Sequence, residues 1–395
     1  MACRAATIAR STATTAKPAS GVHVDTVLLK VASRCNLDCS YCYVYHMGDQ
    51  SWRNQPKRMA EDTQALVGMR LRKLKEAQGR PFSVVLHGGE PLLLGARGLS
   101  ALFAILRAAL GDECGIAIQT NGVLITRAIL DLCAEHAVGI SVSLDGPAAV
   151  HDRFRIDRAG RASHAKVVAG IAALRSHREA AALFSGVLAV VDPATSPDEI
   201  YDYFRNLGVP SVDFLYRDGN HSVLPHGKAA AASTEYGRWM TRILDRYVTD
   251  PAPFRIRMLD DMIKLALGGA GVKEGVGLTD YGILIIDTDG SVKKNDTLKS
   301  SPPGDVFSEP WTVHRHSLAE IACSEEFLAY HRAQRPSSAS CADCPHLRVC
   351  GGGMMTHRYS DANGYDNPTV FCADQTMLIE RIVELVGGHL RAHAA

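Results

Sequence analysis

The sequence predicts an α/β protein: an open, partial (β/α)6 barrel followed by a small cysteine-rich domain. Two observations carry this. From residue 24 to about 217, strand-like apolar segments alternate six times with segments of helical periodicity. The glycine- and cysteine-bearing motifs fall just after strand-like segments, the carboxyl ends where α/β folds keep their sites. Six units in series imply a parallel sheet with right-handed crossovers, and six are too few to close an eightfold barrel.

The units run as follows. "DTVLLKV" is a short apolar strand, followed by a loop with three cysteines and a helix marked by Val67, Leu71 and Leu74 at i, i+4, i+7. "SVVLHGGE" is a strand running into glycines, and "GLSALFAILRAAL" is helical. "GIAIQTNG" is a strand and turn, and "TRAILDLCAEH" is a helix that Thr126 caps. "VGISVSLDG" is a strand before the helix "HAKVVAGIAALRSH". "SGVLAVVD" is the fifth strand; the helix after it has Ser196 as cap, Pro197 in its first turn and Gly208 at its end. "VDFLYR" is the sixth strand. Beyond it, 236–270 reads as helical, "YGILIIDTDGSVKKND" as a hairpin turning at Asp289-Gly290, and "DQTMLIERIVELVGGHL" as an amphipathic helix. The expected division is a disordered arm (1–22), the barrel (23–220), a helical connection (221–280) and a cysteine-rich domain (281–395).

Composition narrows the function. The 395 residues are 46% hydrophobic and 22% charged, with a net charge of +1. That balance points to neither nucleic acid nor an anionic membrane as partner. No apolar run is read as a membrane span, so no membrane contact and a cytoplasmic location are expected. Eleven cysteines in a chain this long, and clustered, suggest metal or redox chemistry rather than disulfide staples. Cys3, Cys114, Cys133 and Cys323 stand apart and read as ordinary thiols.

Cys35-x3-Cys39-x2-Cys42 is too tight for ordinary disulfide topology. Thiolates on one loop suit a soft metal centre. Structural zinc closes its coordination with four ligands, and a [4Fe–4S] cube has four corners. Three thiolates therefore leave one iron open to a cofactor or substrate. Cys341-x2-Cys344-x5-Cys350, with Cys372 beyond, gives a closed set of four that suits zinc or iron–sulfur equally.

With its CxxxCxxC loop after the first strand of a partial barrel, the sequence resembles the radical S-adenosylmethionine (SAM) enzymes. The resemblance implies that the open iron is chelated by SAM. Tyr41 resembles the family's aromatic beside the adenine, and Gly88-Gly89-Glu90 the motif that holds the SAM amino group. Ser143 and Asp145 of "SLDG" and Arg155 of "HDRFR" resemble positions that bind the SAM carboxylate and ribose. The second cysteine set resembles the SPASM extension of peptide-modifying members, which usually holds two auxiliary clusters. Here Asn295 and Met354 stand where ligands of the first would be, whereas all four ligands of the second are present. The implied cofactors are thus two [4Fe–4S] clusters, one binding SAM and one auxiliary on Cys341, Cys344, Cys350 and Cys372, together with SAM. Asp296 occupies the place of an Asp that acts as a base in sulfatase maturases, or else is a solvent-facing carboxylate.

"LHGGEPLLL", "QTNGVLI", "DTLKS" and "RVCGGGMMTHRYSDANGYDNPTVFC" look most like the FxsB-type branch, which modifies short ribosomal peptides. The expected reaction is hydrogen abstraction from a ribosomal precursor peptide, then an oxidative crosslink from an aromatic ring to a side-chain β-carbon. A flavodoxin or ferredoxin is the expected electron donor. Competing readings are formylglycine formation as in sulfatase maturases, a small-molecule dehydrogenase, and a non-catalytic iron–sulfur or zinc scaffold. His87, Gln119 and Asn121 lie at strand ends, in turn or substrate-contact roles.

Overall fold

The computed structural model describes residues 23–394 apart from 280 and 303. The expected arm over 1–22 lies outside them. Six strands, β1 (Thr26–Ala32), β2 (Ser83–Gly88), β3 (Ile116–Thr120), β4 (Val138–Ser143), β5 (Phe184–Val190) and β6 (Ser211–Leu215), pair in sequential order and in parallel. This is the open partial barrel that the alternation predicts.

The sheet extends at both edges. β7 (Arg255–Ile256) adds to β6, and β8 (Ile283–Ile286) adds in parallel to β1. β9 (Val292–Lys293) closes an antiparallel hairpin with β8, giving nine strands in the order β7-β6-β5-β4-β3-β2-β1-β8-β9. All four residues of β8 are buried, so the hairpin that leads into the cysteine-rich segment is built into the barrel edge.

Helices α1 (Glu61–Gln78), α2 (Gly95–Leu110), α3 (Arg127–Glu135), α4 (His164–Arg175) and α5 (Pro197–Leu207) return the chain between successive strands. The caps read from sequence are formed: Thr126 accepts from Ile129 N, and Ser196 from Glu199 N. Gly208 ends α5 at φ +65°. Two expectations change. Pro91–Leu110 is, by length and composition alone, long and apolar enough to cross a membrane. Here Leu99, Leu102, Phe103, Leu106 and Leu110 of this segment lie in the barrel core, so its apolarity is accounted for by packing on the sheet. The helical reading of 236–270 divides into α6 (Glu235–Thr249) and α7 (Arg257–Ala266), because Pro251 and Pro253 cannot continue a helix.

The last helix, α8 (Cys372–Ala394), packs on α6 and α7. Cys323 is disulfide-bonded, which corrects its reading as an ordinary thiol; Cys114 and Cys133 are buried free thiols.

Candidate active site

At the carboxyl ends of the strands lies a cavity of about 390 Å³. Cys35, Cys39 and Cys42 line it together with Tyr41, Gly88, Gly89, Glu90, Ser143 and Arg155. Backbone bonds fix the cysteine loop against the segment carrying Arg155: Asp38 N donates to Ile156 O (2.8 Å) and Ser40 N to Phe154 O (3.0 Å). Within the loop, Cys42 N donates to Cys39 O, and His46 N to Cys42 O.

The glycine pair is dictated by crowding. Gly88 has φ +124°, and a Cβ there would stand 2.1 Å from the Ala32 carbonyl oxygen. A Cβ on Gly89 would meet Tyr45 Oη at 2.1 Å and the Arg34 backbone at 2.4 Å. This is why β2 can carry Glu90 in beneath the cysteine loop. Gly88→Ala is therefore expected to cost at least about 2 kcal/mol, read as a fall in the denaturant midpoint.

Glu90 is 1% exposed. Its Oε1 accepts from Leu92 N (3.0 Å) and Thr120 Oγ1 (2.7 Å), and its Oε2 from Asn121 N (2.8 Å). A carboxylate accepts about four bonds, so one position remains for a bound cation. Burial pushes its pKa up to about 7 against these three donors. Ser143 Oγ accepts from Gln119 Nε2 (2.9 Å), leaving its own proton to donate. Asn121 Nδ2 bonds Asn36 Oδ1 (2.8 Å) and lies 3.7 Å from Cys35 Sγ.

Two predicted residues do not reach the cavity wall. Asp145 is buried behind it: Oδ2 accepts from Tyr41 Oη (2.5 Å) and Arg155 Nε (2.9 Å), Oδ1 from Val190 N (3.0 Å). Its place is to orient Tyr41 and Arg155. Asp296 is neither solvent-facing nor on the wall; it is 1% exposed and ion-paired with Lys30 Nζ at 2.6 Å. Burial alone would pull the Lys30 ammonium pKa down, but Asp296 and Asp287 hold it up.

Besides Glu90, the carboxyl groups that line the cavity are Asp218 and Glu274, which sequence reading missed. Burial pushes each up to about 7. Arg217, also missed, joins them on the wall.

Do these residues fit an iron–sulfur cluster? Burial raises Cys35 to about 12 and Cys42 to about 11, so binding a cluster must displace the thiol protons. None of the three is in a disulfide. Three free thiols on one loop suit the cysteine ligation of an iron–sulfur cluster with one iron left open.

Cys341, Cys344, Cys350 and Cys372, all free, line a second, smaller cavity. Thr369 and Gln375 line both cavities, so one layer of side chains divides them. Asn295 and Met354 are used otherwise than as ligands: Asn295 Nδ2 donates to Glu274 Oε1 (2.6 Å), and Met354 lines the large cavity.

A three-thiol loop at the mouth of an open parallel barrel, beside a buried carboxylate with one acceptor position to spare, defines an α/β enzyme that works with a cluster-bound cofactor. Residues 29–207 match the radical SAM superfamily. An uncharacterized protein of Synechocystis sp. is 27% identical over 387 residues, 92% of this chain and 91% of that one. The serine-type anaerobic sulfatase-maturating enzyme of Bacteroides thetaiotaomicron is 25% identical over 361 residues, 84% of this chain and 82% of that one. The solved structure of native anSMEcpe with bound AdoMet superposes with a TM-score of 0.78 at 21% identity, covering 92% of this chain and 99% of that one, which shows the shared fold.

Proposed function

We propose that this enzyme oxidises a side chain of a ribosomally made peptide, removing two hydrogens and closing an intramolecular carbon–carbon crosslink. The observation that carries the reading is the single wall, Thr369 and Gln375, between the three-thiol cavity and the four-thiol cavity. Cys35, Cys39 and Cys42 would hold the SAM-binding cluster; Cys341, Cys344, Cys350 and Cys372 would hold an auxiliary one. When bound, SAM on its cluster supplies a 5′-deoxyadenosyl radical that takes a hydrogen atom from carbon.

The chain's own residues do the rest. Glu90 offers its spare acceptor position to the SAM ammonium, with Ser143 and Arg155 on the same wall. Tyr41, fixed by Asp145, provides the aromatic face. Asp218 or Glu274 receives the proton released as the product forms, a role suited to carboxyl groups held near neutrality. Cys341, Cys344, Cys350 and Cys372, one wall away from the large cavity, would hold a cluster able to accept the second electron. A flavodoxin or ferredoxin supplies the reducing electron.

Ionisation of Glu90 gives a pH test. With its pKa near 7, the carboxylate is about ten times less populated at pH 6 than at pH 8. SAM affinity, measured by equilibrium dialysis, is expected to weaken about tenfold on going down that range, and to lose the trend in Glu90→Gln.

Formylglycine formation is the second reading, favoured by the 25% identity to a sulfatase-maturating enzyme over most of the chain. Anaerobic co-expression with a neighbouring precursor peptide separates the two. Both crosslinking and serine oxidation remove about 2 Da. A crosslink makes fragmentation skip an internal segment, whereas an aldehyde is trapped by a hydrazide probe. A hydrazide adduct in place of the skipped segment would replace the first reading by the second.

A further inference from the structure

Arg217 follows β6 and is 7% exposed. Its guanidinium carbon lies 4.1 Å from the centroid of the Phe154 ring and 4.6 Å from that of Tyr41. No ion pair or hydrogen bond of this side chain is formed among the described residues, and its Nε is buried without an acceptor. Yet the residue lines the large cavity. The neighbouring Asp218 lines the same cavity and feels the guanidinium's charge, but makes no ion pair or hydrogen bond with it. Every other arginine or lysine within that cavity's wall has a carboxylate: Arg155 has Asp145, and Lys273 has Asp213.

A buried guanidinium without an anion is costly, and two aromatic faces offset only part of that cost. The rings hold the planar fork in place, so little freedom is lost when it is used. That fork matches a carboxylate through two parallel N–H bonds.

We propose that Arg217 is the carboxylate receptor of the cavity, receiving an anionic group of the molecule bound there. The preferred source is an acidic side chain or carboxyl terminus of the peptide; the amino-acid end of SAM has the same chemistry. The inference rests on reading this cavity as the substrate site, but on no step of the radical reaction.

The test uses full-length protein with both clusters assembled anaerobically: wild type, Arg217→Gln and Arg217→Lys. N-acetylglutamate and its neutral diamide are titrated by NMR into enzyme loaded with S-adenosylhomocysteine. The wild type is expected to prefer the diacid by at least tenfold, Arg217→Gln to lose the preference, and Arg217→Lys to keep part of it. If S-adenosylmethionine binding weakens tenfold in Arg217→Gln while N-acetylglutamate shows no preference, the receptor stands and its source is the cofactor. If neither ligand changes by more than twofold in Arg217→Gln, the proposal is wrong. Matched cluster absorbance and melting temperature among the three proteins exclude misfolding, and Arg217→Lys decides the matter if the glutamine variant fails to fold. Because N-acetylglutamate binding requires no SAM cleavage, the titration would still test Arg217 in an enzyme that proves inactive on peptides.

Discussion

Changing Cys35, Cys39 and Cys42 together to alanine is expected to bring 5′-deoxyadenosine formation below detection while leaving the barrel folded. The three thiols lie on a loop at the cavity mouth, all partly exposed, and none of their sulfurs belongs to the core. The loop is tied down by backbone bonds to Phe154 and Ile156, and the sulfur contacts, Leu37 N and Asn121 Nδ2 to Cys35 Sγ, are long and weak beside them. The melting temperature of the metal-free variant should therefore stay within a few degrees of metal-free wild type. Changing Cys341, Cys344, Cys350 and Cys372 to alanine is expected to do the opposite. SAM cleavage persists, because Glu90, Ser143 and Arg155 are untouched, but it no longer yields modified peptide. Chromatography of 5′-deoxyadenosine beside peptide mass spectrometry reads both outcomes. Equal loss of both products in the second variant would remove the auxiliary site from its proposed role.

That two-site arrangement is visible in the sequence because short-range spacing carries it. A loop of three cysteines and a Gly-Gly-Glu turn are local patterns, and the structure explains each locally: the Gly88 and Gly89 positions leave no space for a Cβ. The six barrel strands are equally legible, since each is a short apolar run that pairs with its sequence neighbour. What escapes depends on distant parts of the chain meeting. Asp218 follows β6 and Glu274 follows α7, and only the closed fold puts both on one cavity. Arg217 looks like any arginine at a strand end until Tyr41 and Phe154 are found beneath it. The burial of Asp296 escapes sequence for the same reason. Nothing near it in the chain announces that Lys30, on β1, will be its partner. Asp145 sits in a recognisable motif, yet its carboxylate is spent on Tyr41 and Arg155 behind the cavity wall.

Lys228→Met is expected to be among the most destabilising single changes, because Lys228 and Asp374 form an ion pair at 2.6 Å with both side chains fully buried. Lys228 Nζ also donates to Ser233 O, and Asp374 Oδ1 accepts from Gly237 N in the first turn of α6. The pair thus ties the connection after β6 and the start of α6 to α8, close to Cys372. Removing the lysine strands a buried carboxylate, which costs about 3–5 kcal/mol. For a chain of this size unfolding as one unit, that is roughly a 5 °C fall in Tm. Burial already raises the Asp374 carboxyl, while Lys228 pulls against it. Without the lysine the pKa rises further, so the folded state holds its proton more tightly than the unfolded chain does. The stability defect should therefore be smaller at about pH 5.5 than at pH 8, since the penalty falls on the ionised form. Adding Asp374→Leu should recover much of the loss, because no charge is then left buried. If the single and double variants melt alike at both pH values, the pair is not what holds α8 in place. If the pair does position Cys372, the single variant will also lose iron from the four-cysteine site while keeping it in the three-cysteine loop, measurable as iron per chain in each cysteine-to-alanine background.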